Sequence, residues 1–137
     1  MKVRKGRPLA DMTQADASPV EAAAAAQDRL TLAMVDAAVA SGRLRLAYQP
    51  VVMAADPARI GYYEGLIRVL DESGRAIPAR EFIDAVETTE TGRLIDCAAL
   101  EMGLATLRAQ PWIRLAVNMS ARSVGYPRWL RILRRAL

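Results

Sequence analysis

The pattern of apolar and polar positions separates an irregular start from an ordered remainder. Residues 1–17 are polar and basic and follow no period, so we expect a disordered basic tail there. Residues 18–42 predict a helix that leads into the domain. Ser18 has the position of an N-cap, Glu21 completes a capping box, and Gly42 ends the alanine-rich run.

Three further helices are predicted toward the C-terminus. The first begins at Pro78, Gly92 separates it from the second, and Pro127 begins a last amphipathic helix that is rich in arginine. The second helix is indicated by apolar residues spaced three and four positions apart, at Leu94, Cys97, Leu100, Leu104 and Leu107.

Runs typical of buried strands lie between these helices, at residues 44–52, 60–70 and 113–117. Residues 54–59 contain Asp56-Pro57 and predict a loop. Because strands alternate with helices, the pattern predicts an α/β fold with a largely parallel sheet, formed by residues 43–137. In such folds the working residues gather at the carboxyl ends of the strands.

The second strand contains two charges in the apolar run YYEGLIRV, and an ionised side chain is costly to bury unless it is paired or bound. Glu64 and Arg68 are these charges, and Asn118 and Ser120 follow the third strand. A carboxylate and an amide oxygen that converge could hold a hard cation, with Arg68 available for a phosphate. The alternative is structural: Arg68 pairs with Glu64, and the polar residues after the strand are turn or capping residues.

The amino-acid composition limits which catalytic groups and metal ligands the chain can use. The 137 residues are 53% hydrophobic and 25% charged, which suits one globular unit with a real core. No histidine is present, which excludes histidine bases and the usual zinc sites, so any metal must be held by oxygen ligands. Cys97 is the only cysteine and suits a reducing cytoplasm. We find no secretion signal and no apolar run that could span a membrane.

The net charge of +4 is unevenly distributed. Residues 1–10 carry four positive charges and no acid, residues 11–101 hold all 15 acids against 8 arginines, and residues 102–137 carry 7 arginines and no acid. Basic ends of this kind can bind nucleic acid or an anionic membrane surface. No aromatic-basic interleaving or nucleic-acid motif accompanies them, so we expect a solvated helix face and no DNA partner.

Several separated motifs resemble, in order, the first half of an EAL domain, from about Ala33 to Leu137. They are Gly42-Arg43-Leu44, Tyr48-Gln49-Pro50-Val51-Val52, Glu64-Gly65-Leu66-Ile67-Arg68, Pro78, Glu81-Phe82-Ile83 and Val117-Asn118-Met119-Ser120. The resemblance implies an incomplete TIM-type (β/α) barrel, roughly its first three strands with their helices. It also implies a bacterial cyclic di-GMP phosphodiesterase, which opens the dinucleotide to linear pGpG with Mg²⁺ or Mn²⁺.

The resemblance also implies roles for individual residues. Glu64 matches the signature glutamate and Asn118 the asparagine that follows the third strand, and both are expected metal ligands. Gln49, Leu66 and Arg68 match positions that line the dinucleotide pocket, with Arg68 on a phosphate. Gly65 stands where the family signature has alanine, a change expected to alter strand rigidity more than chemistry.

The family's later motifs are missing from this sequence: another glutamate ligand, paired aspartates, a lysine and a last glutamate. Two-metal hydrolysis needs cations held about 3.5–4 Å apart, which Glu64 and Asn118 cannot do alone. The 137-residue chain by itself is therefore expected to be inactive. It is either the N-terminal portion of a phosphodiesterase domain or a non-catalytic module for protein interaction or dinucleotide binding. We also expect self-association through the third strand and the last helix, unless a missing C-terminal half covers them.

Overall fold

The computed structural model describes residues 18–137, so the predicted disordered tail at 1–17 lies outside the described residues. The helices are α1 (Pro19–Ala40), α2 (Ile83–Val86), α3 (Glu90–Ala109) and α4 (Pro127–Ala136). The strands are β1 (Leu44–Met53), β2 (Asp56–Leu70), β3 (Ala76–Pro78) and β4 (Leu115–Val117). Single 3₁₀ turns occupy Ala79–Glu81 and Ala121–Ser123.

The predicted start and end of α1 are confirmed. The backbone N–H of Glu21 donates to Ser18 Oγ at 3.2 Å, and Ser18 N–H donates to Glu21 Oε2 at 2.8 Å, which completes the capping box. Gly42 has φ of +64°, the left-handed conformation that ends a helix at low cost for glycine. Only Val35 and Ala38 of α1 are buried, so packing holds mainly the C-terminal half of this helix.

The four strands form one sheet centred on β2. β1 and β3 pair with β2 in the antiparallel sense, and only β4 runs parallel to it. The predicted largely parallel sheet is therefore wrong. Only Ala54 and Ala55 separate β1 from β2, and so short a connection can join antiparallel strands but cannot return the chain for a parallel pair.

Other element boundaries also differ from the prediction, including the third predicted strand, 113–117, which is β4 and begins at Leu115. The loop expected over residues 54–59 is shorter, since β2 already begins at Asp56. Pro78 ends β3 instead of beginning a helix, and Gly92 lies inside α3. A Cβ atom on Gly92 would come within 2.6 Å of the carbonyl oxygen of Val86. Glycine is thus required there by the close approach of α2 to α3 and not by a break in the helix.

The core lies between the sheet and helices α1, α2 and α3. Leu46, Leu115 and Val117 face α3, because Cβ atoms added at Gly65 and Gly103 would meet these side chains. Strand residues alternate between the two faces, so Glu64, Leu66 and Arg68 point away from α3. The buried cluster contains Val35, Ala38, Leu44, Val69, Ile77, Phe82, Val86 and Ile95.

The turn after β2 is organised by one carboxylate. Asp71 Oδ1 accepts hydrogen bonds from Ser73 Oγ at 2.6 Å, Ser73 N–H at 2.9 Å and Arg75 N–H at 3.0 Å, and Oδ2 accepts from Arg75 Nε at 3.1 Å. These donors favour the ionised form, the Ser73 hydroxyl most strongly, and lower the pKa of Asp71 to about 2.

The pH dependence of this turn follows from that shift. The folded pKa lies below the unfolded value of about 3.9, so the turn's contribution to stability is fully present above pH 4 and is lost as the pH falls through 2. We expect an NMR titration to give Asp71 a pKa of about 2, and Ser73→Ala to raise it. An ordinary aspartate pKa in the native protein would contradict the hydrogen-bonded turn.

Candidate functional site

The pairing of β1 with β2 brings four of the five predicted site residues onto one face of the sheet. Glu64, Leu66 and Arg68 alternate along β2 and share the face that points away from α3. Gln49 lies directly opposite Glu64 in β1 and therefore shares this face. We call this surface the site face. Gln49 is exposed and the three β2 residues are partly buried.

Asn118 joins this group from β4. Ala116 is the parallel partner of Glu64, so Asn118, two residues later, lies on the same face just beyond the end of the strand. Its Nδ2 donates a hydrogen bond to Glu64 Oε1 at 2.8 Å. The two residues expected to bind a metal are thus in direct contact.

The donor chemistry of this pair fits a hard divalent cation. A half-turn of the Asn118 amide would place its Oδ1 beside the Glu64 carboxylate, giving two oxygen ligands of the kind that Mg²⁺ and Mn²⁺ prefer. Within residues 18–137, no group of three or more cysteine, aspartate or glutamate side chains could hold a metal ion. The pair would therefore supply only part of a coordination shell.

Arg68 does not form the salt bridge considered as the structural alternative. Its Nη1 donates to the carbonyl oxygen of Ile67 at 3.0 Å, while the Glu64 carboxylate accepts from Asn118. The ion pairs of the described residues join other side chains, namely Arg75 with Asp71, Arg80 with Glu81 and Arg93 with Glu90. The Arg68 guanidinium retains donors for a ligand.

A cavity of about 260 Å³ opens at the edge of β2 beside this group. β4 pairs with β2 as far as Gly65 and β3 pairs from Arg68, which leaves Leu66 and Ile67 in a gap between them. Leu66 and Asn118 line the cavity together with Ile95, Asp96 and Ala99 of α3, so the cavity lies largely on the α3 side of the sheet and not on the site face. A larger cavity of about 440 Å³ lies at the opposite end of β2, beside Trp112, and contains none of the predicted site residues.

Asp96 supports the site and was not recognised in the sequence as a site residue. Its side chain, only 8% exposed, projects from α3 and accepts hydrogen bonds from Ser120 N–H at 3.0 Å and from Ser123 Oγ at 2.5 Å. Both donors belong to the segment that follows Asn118, so Asp96 holds this segment against the helix. The signal in the sequence is a lone acid between Ile95 and Cys97, within the apolar face of a helix.

Gly65 packs its backbone closely against the α3 side of the sheet. A Cβ atom there would lie 3.0 Å from Leu46 Cδ2 and 3.4 Å from the Ala116 carbonyl oxygen. Alanine would thus require a small movement of the Leu46 side chain. Gly65 faces away from Glu64 and Arg68, so this departure from the family signature does not change the groups on the site face.

The sequence matches the EAL domain family over residues 32–137, and the chain belongs to this family. The predicted resemblance is confirmed. Among curated proteins, no sequence matches the chain significantly. Of the described residues, no helix has the length and apolar character needed to cross a membrane.

Solved EAL structures share the fold. The FimX EAL domain from Pseudomonas aeruginosa, bound to c-di-GMP, is 27% identical with a TM-score of 0.66, and the match covers 78% of this chain and 43% of that chain. The FimX EAL domain from Xanthomonas citri, in complex with c-diGMP, is 18% identical with a TM-score of 0.67. The match covers 85% of this chain and 46% of that chain. The PaMucR phosphodiesterase in its c-di-GMP complex is 24% identical with a TM-score of 0.59, and the match covers 79% of this chain and 45% of that chain.

These likenesses confirm the predicted fold class, an α/β fold with an N-terminal helix and the partial sheet of an incomplete TIM-type barrel. At 18% and 24% identity, the last two comparisons show the fold alone. The chain spans less than half the length of each of these three structures.

Proposed function

We propose that this chain contributes one wall of the cyclic di-GMP site of an EAL phosphodiesterase domain, which hydrolyses the dinucleotide to pGpG when the barrel is complete. The observation that carries the proposal is the meeting of the family's motif residues on the site face, with Asn118 Nδ2 2.8 Å from Glu64 Oε1. The P. aeruginosa FimX EAL domain, bound to c-di-GMP, supports it at 27% identity.

Each residue has a distinct proposed task. Glu64 and Asn118 hold Mg²⁺ or Mn²⁺ through a carboxylate and an amide oxygen. Arg68 donates charge-assisted hydrogen bonds to a phosphate, for which its guanidinium geometry is suited. Leu66 gives apolar contact to the ligand on the site face, and Gln49 offers an amide opposite Glu64. Divalent cations, when bound, activate water and stabilise the negative charge that develops on phosphate oxygens.

The test separates binding from turnover. We expect calorimetry to detect cyclic di-GMP binding to the purified chain in the presence of Mn²⁺, and chromatography to detect no pGpG. Binding without turnover is expected because Glu64 and Asn118 supply too few ligands for two cations. Measurable conversion to pGpG by a preparation free of contaminating enzyme would contradict the expected inactivity, and a lack of binding would contradict the dinucleotide site.

A non-catalytic module for protein interaction or dinucleotide binding is the second candidate. The small number of metal ligands among residues 18–137 favours it. Self-association through β4 and α4 stays a prediction that sedimentation of the purified chain would test. The cytoplasmic location also stays a prediction, which rests on Cys97 being the only cysteine.

A further inference from the structure

A second arginine lies on the site face beside Arg68. In the register of the first two strands, Arg45 of β1 is the direct antiparallel partner of Arg68 of β2. Directly opposed residues project from the same face of a sheet, with Cβ atoms about 4.5–5.5 Å apart. Arg45 therefore shares the face that carries Glu64 and Leu66.

Neither guanidinium has an acidic partner in the described structure. Among residues 18–137, no carboxylate lies within 4.0 Å of Arg45 or Arg68. Each donates one hydrogen bond to the carbonyl oxygen of the residue before it, Arg45 Nη1 to Leu44 at 3.3 Å and Arg68 Nη1 to Ile67 at 3.0 Å. A guanidinium has five N–H donors, so each group keeps further donors that bond to no acceptor among residues 18–137.

This arrangement is unfavourable for the sheet alone. Like charges directly opposite each other in an antiparallel pair destabilise it, and no ion pair within residues 18–137 involves either arginine. The neighbouring Arg43 differs, because its Nη1 is engaged with the carbonyl oxygen of Leu70 at 2.9 Å. An anion placed between Arg45 and Arg68 would remove the repulsion and accept donors from both side chains.

The chemistry of the two groups identifies the kind of anion. Paired guanidinium groups present planar sets of donors that match the oxygens of a phosphate, and arginine is the side chain best suited to this geometry. We propose that Arg45 and Arg68 together clamp one phosphodiester group of the ligand. Arg45 thus becomes a second phosphate-binding residue in addition to those that the EAL motifs identify. The clamp rests on the proposed function, since it takes cyclic di-GMP as the ligand.

The clamp predicts that replacing either arginine raises the stability of the unliganded protein but weakens its binding of the ligand. Arg45→Gln removes the repulsion, so the unliganded variant should unfold at a higher temperature than the wild type, by a margin that shrinks as salt screens the charges. The same variant should bind cyclic di-GMP about 10-fold more weakly, since it loses hydrogen bonds from a charged donor. Arg68→Gln should show the same two changes.

Arg59→Gln is the matched control. Arg59 is an exposed residue near the start of β2, so this variant loses one arginine charge from the same sheet, at the end of β2 remote from Arg68. Its affinity for cyclic di-GMP should stay within about 2-fold of the wild type if only long-range electrostatics is involved. If Arg45→Gln bound cyclic di-GMP as tightly as the wild type while Arg68→Gln bound it more weakly, the clamp would be overturned. The proposed function would still stand.

If the wild type binds no cyclic di-GMP, the proposed function is overturned. The clamp itself can then still be tested with inorganic phosphate as the ligand. The unfolding temperature is then measured in inorganic phosphate and in chloride at equal ionic strength. A clamp predicts that phosphate stabilises the wild type and Arg59→Gln more than Arg45→Gln or Arg68→Gln. Equal stabilisation of all four proteins would overturn the clamp.

Discussion

Replacing Glu64 by alanine is expected to abolish the part of cyclic di-GMP binding that depends on a divalent cation. The wild type should bind the dinucleotide at least about 10-fold more tightly in Mn²⁺ than in a chelator, and Glu64→Ala should bind equally in both. The reason is that the Glu64 carboxylate is the acidic group in contact with Asn118 and supplies the negative charge of the pair. Calorimetric titrations with and without Mn²⁺ measure the difference.

Glu64→Gln is the matched variant for this experiment. Its amide oxygen can still accept the hydrogen bond from Asn118, so the local structure is retained while the negative charge is lost. It should lose most of the Mn²⁺ effect, as alanine does. Because Glu64 is only partly buried, both variants should keep the free energy of unfolding within about 1 kcal/mol of the wild type. An undiminished Mn²⁺ effect in Glu64→Ala would show that the metal ligand has been assigned wrongly.

The contact between Glu64 and Asn118 could be predicted from the sequence, because both residues lie in or just after strands whose carboxyl ends were expected at one edge of the sheet. Asn118 follows directly on β4, and a parallel neighbour of β2 must carry residues such as Ala116 and Asn118 on the face of Glu64. The 2.8 Å contact is therefore the part of the site in which sequence and structure agree most closely.

The direction of β1 could not be read from its apolar pattern, because antiparallel and parallel strands use the same alternation. The connection decided it: a turn at Ala54 and Ala55 forces the antiparallel sense, but Asp56-Pro57 indicated a longer loop. The proximity of Arg45 to Arg68 depends on this register, which also shifts at two irregularities between Val51 and Met53. Sequence patterns carry no signal for such a pair.

The helix boundaries could not be predicted for a different reason. Proline and glycine commonly begin or interrupt helices, so the sequence predicts a helix start at Pro78 and a helix break at Gly92. In the structure Pro78 ends the short strand β3, and Gly92 lets α3 pass close to the Val86 carbonyl oxygen. The tertiary contact determines the role of both residues, and a local preference cannot reveal it.

Asp96→Ala is expected to lower the free energy of unfolding by about 2–4 kcal/mol. The substitution removes the acceptor for Ser123 Oγ, a side chain only 1% exposed, and for the backbone N–H of Ser120. Each buried donor left without a partner costs about 1–3 kcal/mol, which outweighs the gain from no longer burying a carboxylate whose Oδ2 accepts both hydrogen bonds. Urea unfolding followed by circular dichroism gives the free energy.

Two variants identify the hydrogen bonds as the cause. Asp96→Asn keeps a carbonyl oxygen that can accept both hydrogen bonds, so it should restore most of the stability that alanine loses. Glu101→Ala removes an exposed acid from the same helix and should change stability by no more than about 0.5 kcal/mol. In Asp96→Ala, amide exchange at Ser120 should also become faster than in Asp96→Asn, because the segment after Asn118 is released from α3. If alanine and asparagine at position 96 gave equal stability and equal exchange, Asp96 would not be what holds the Asn118 segment in place.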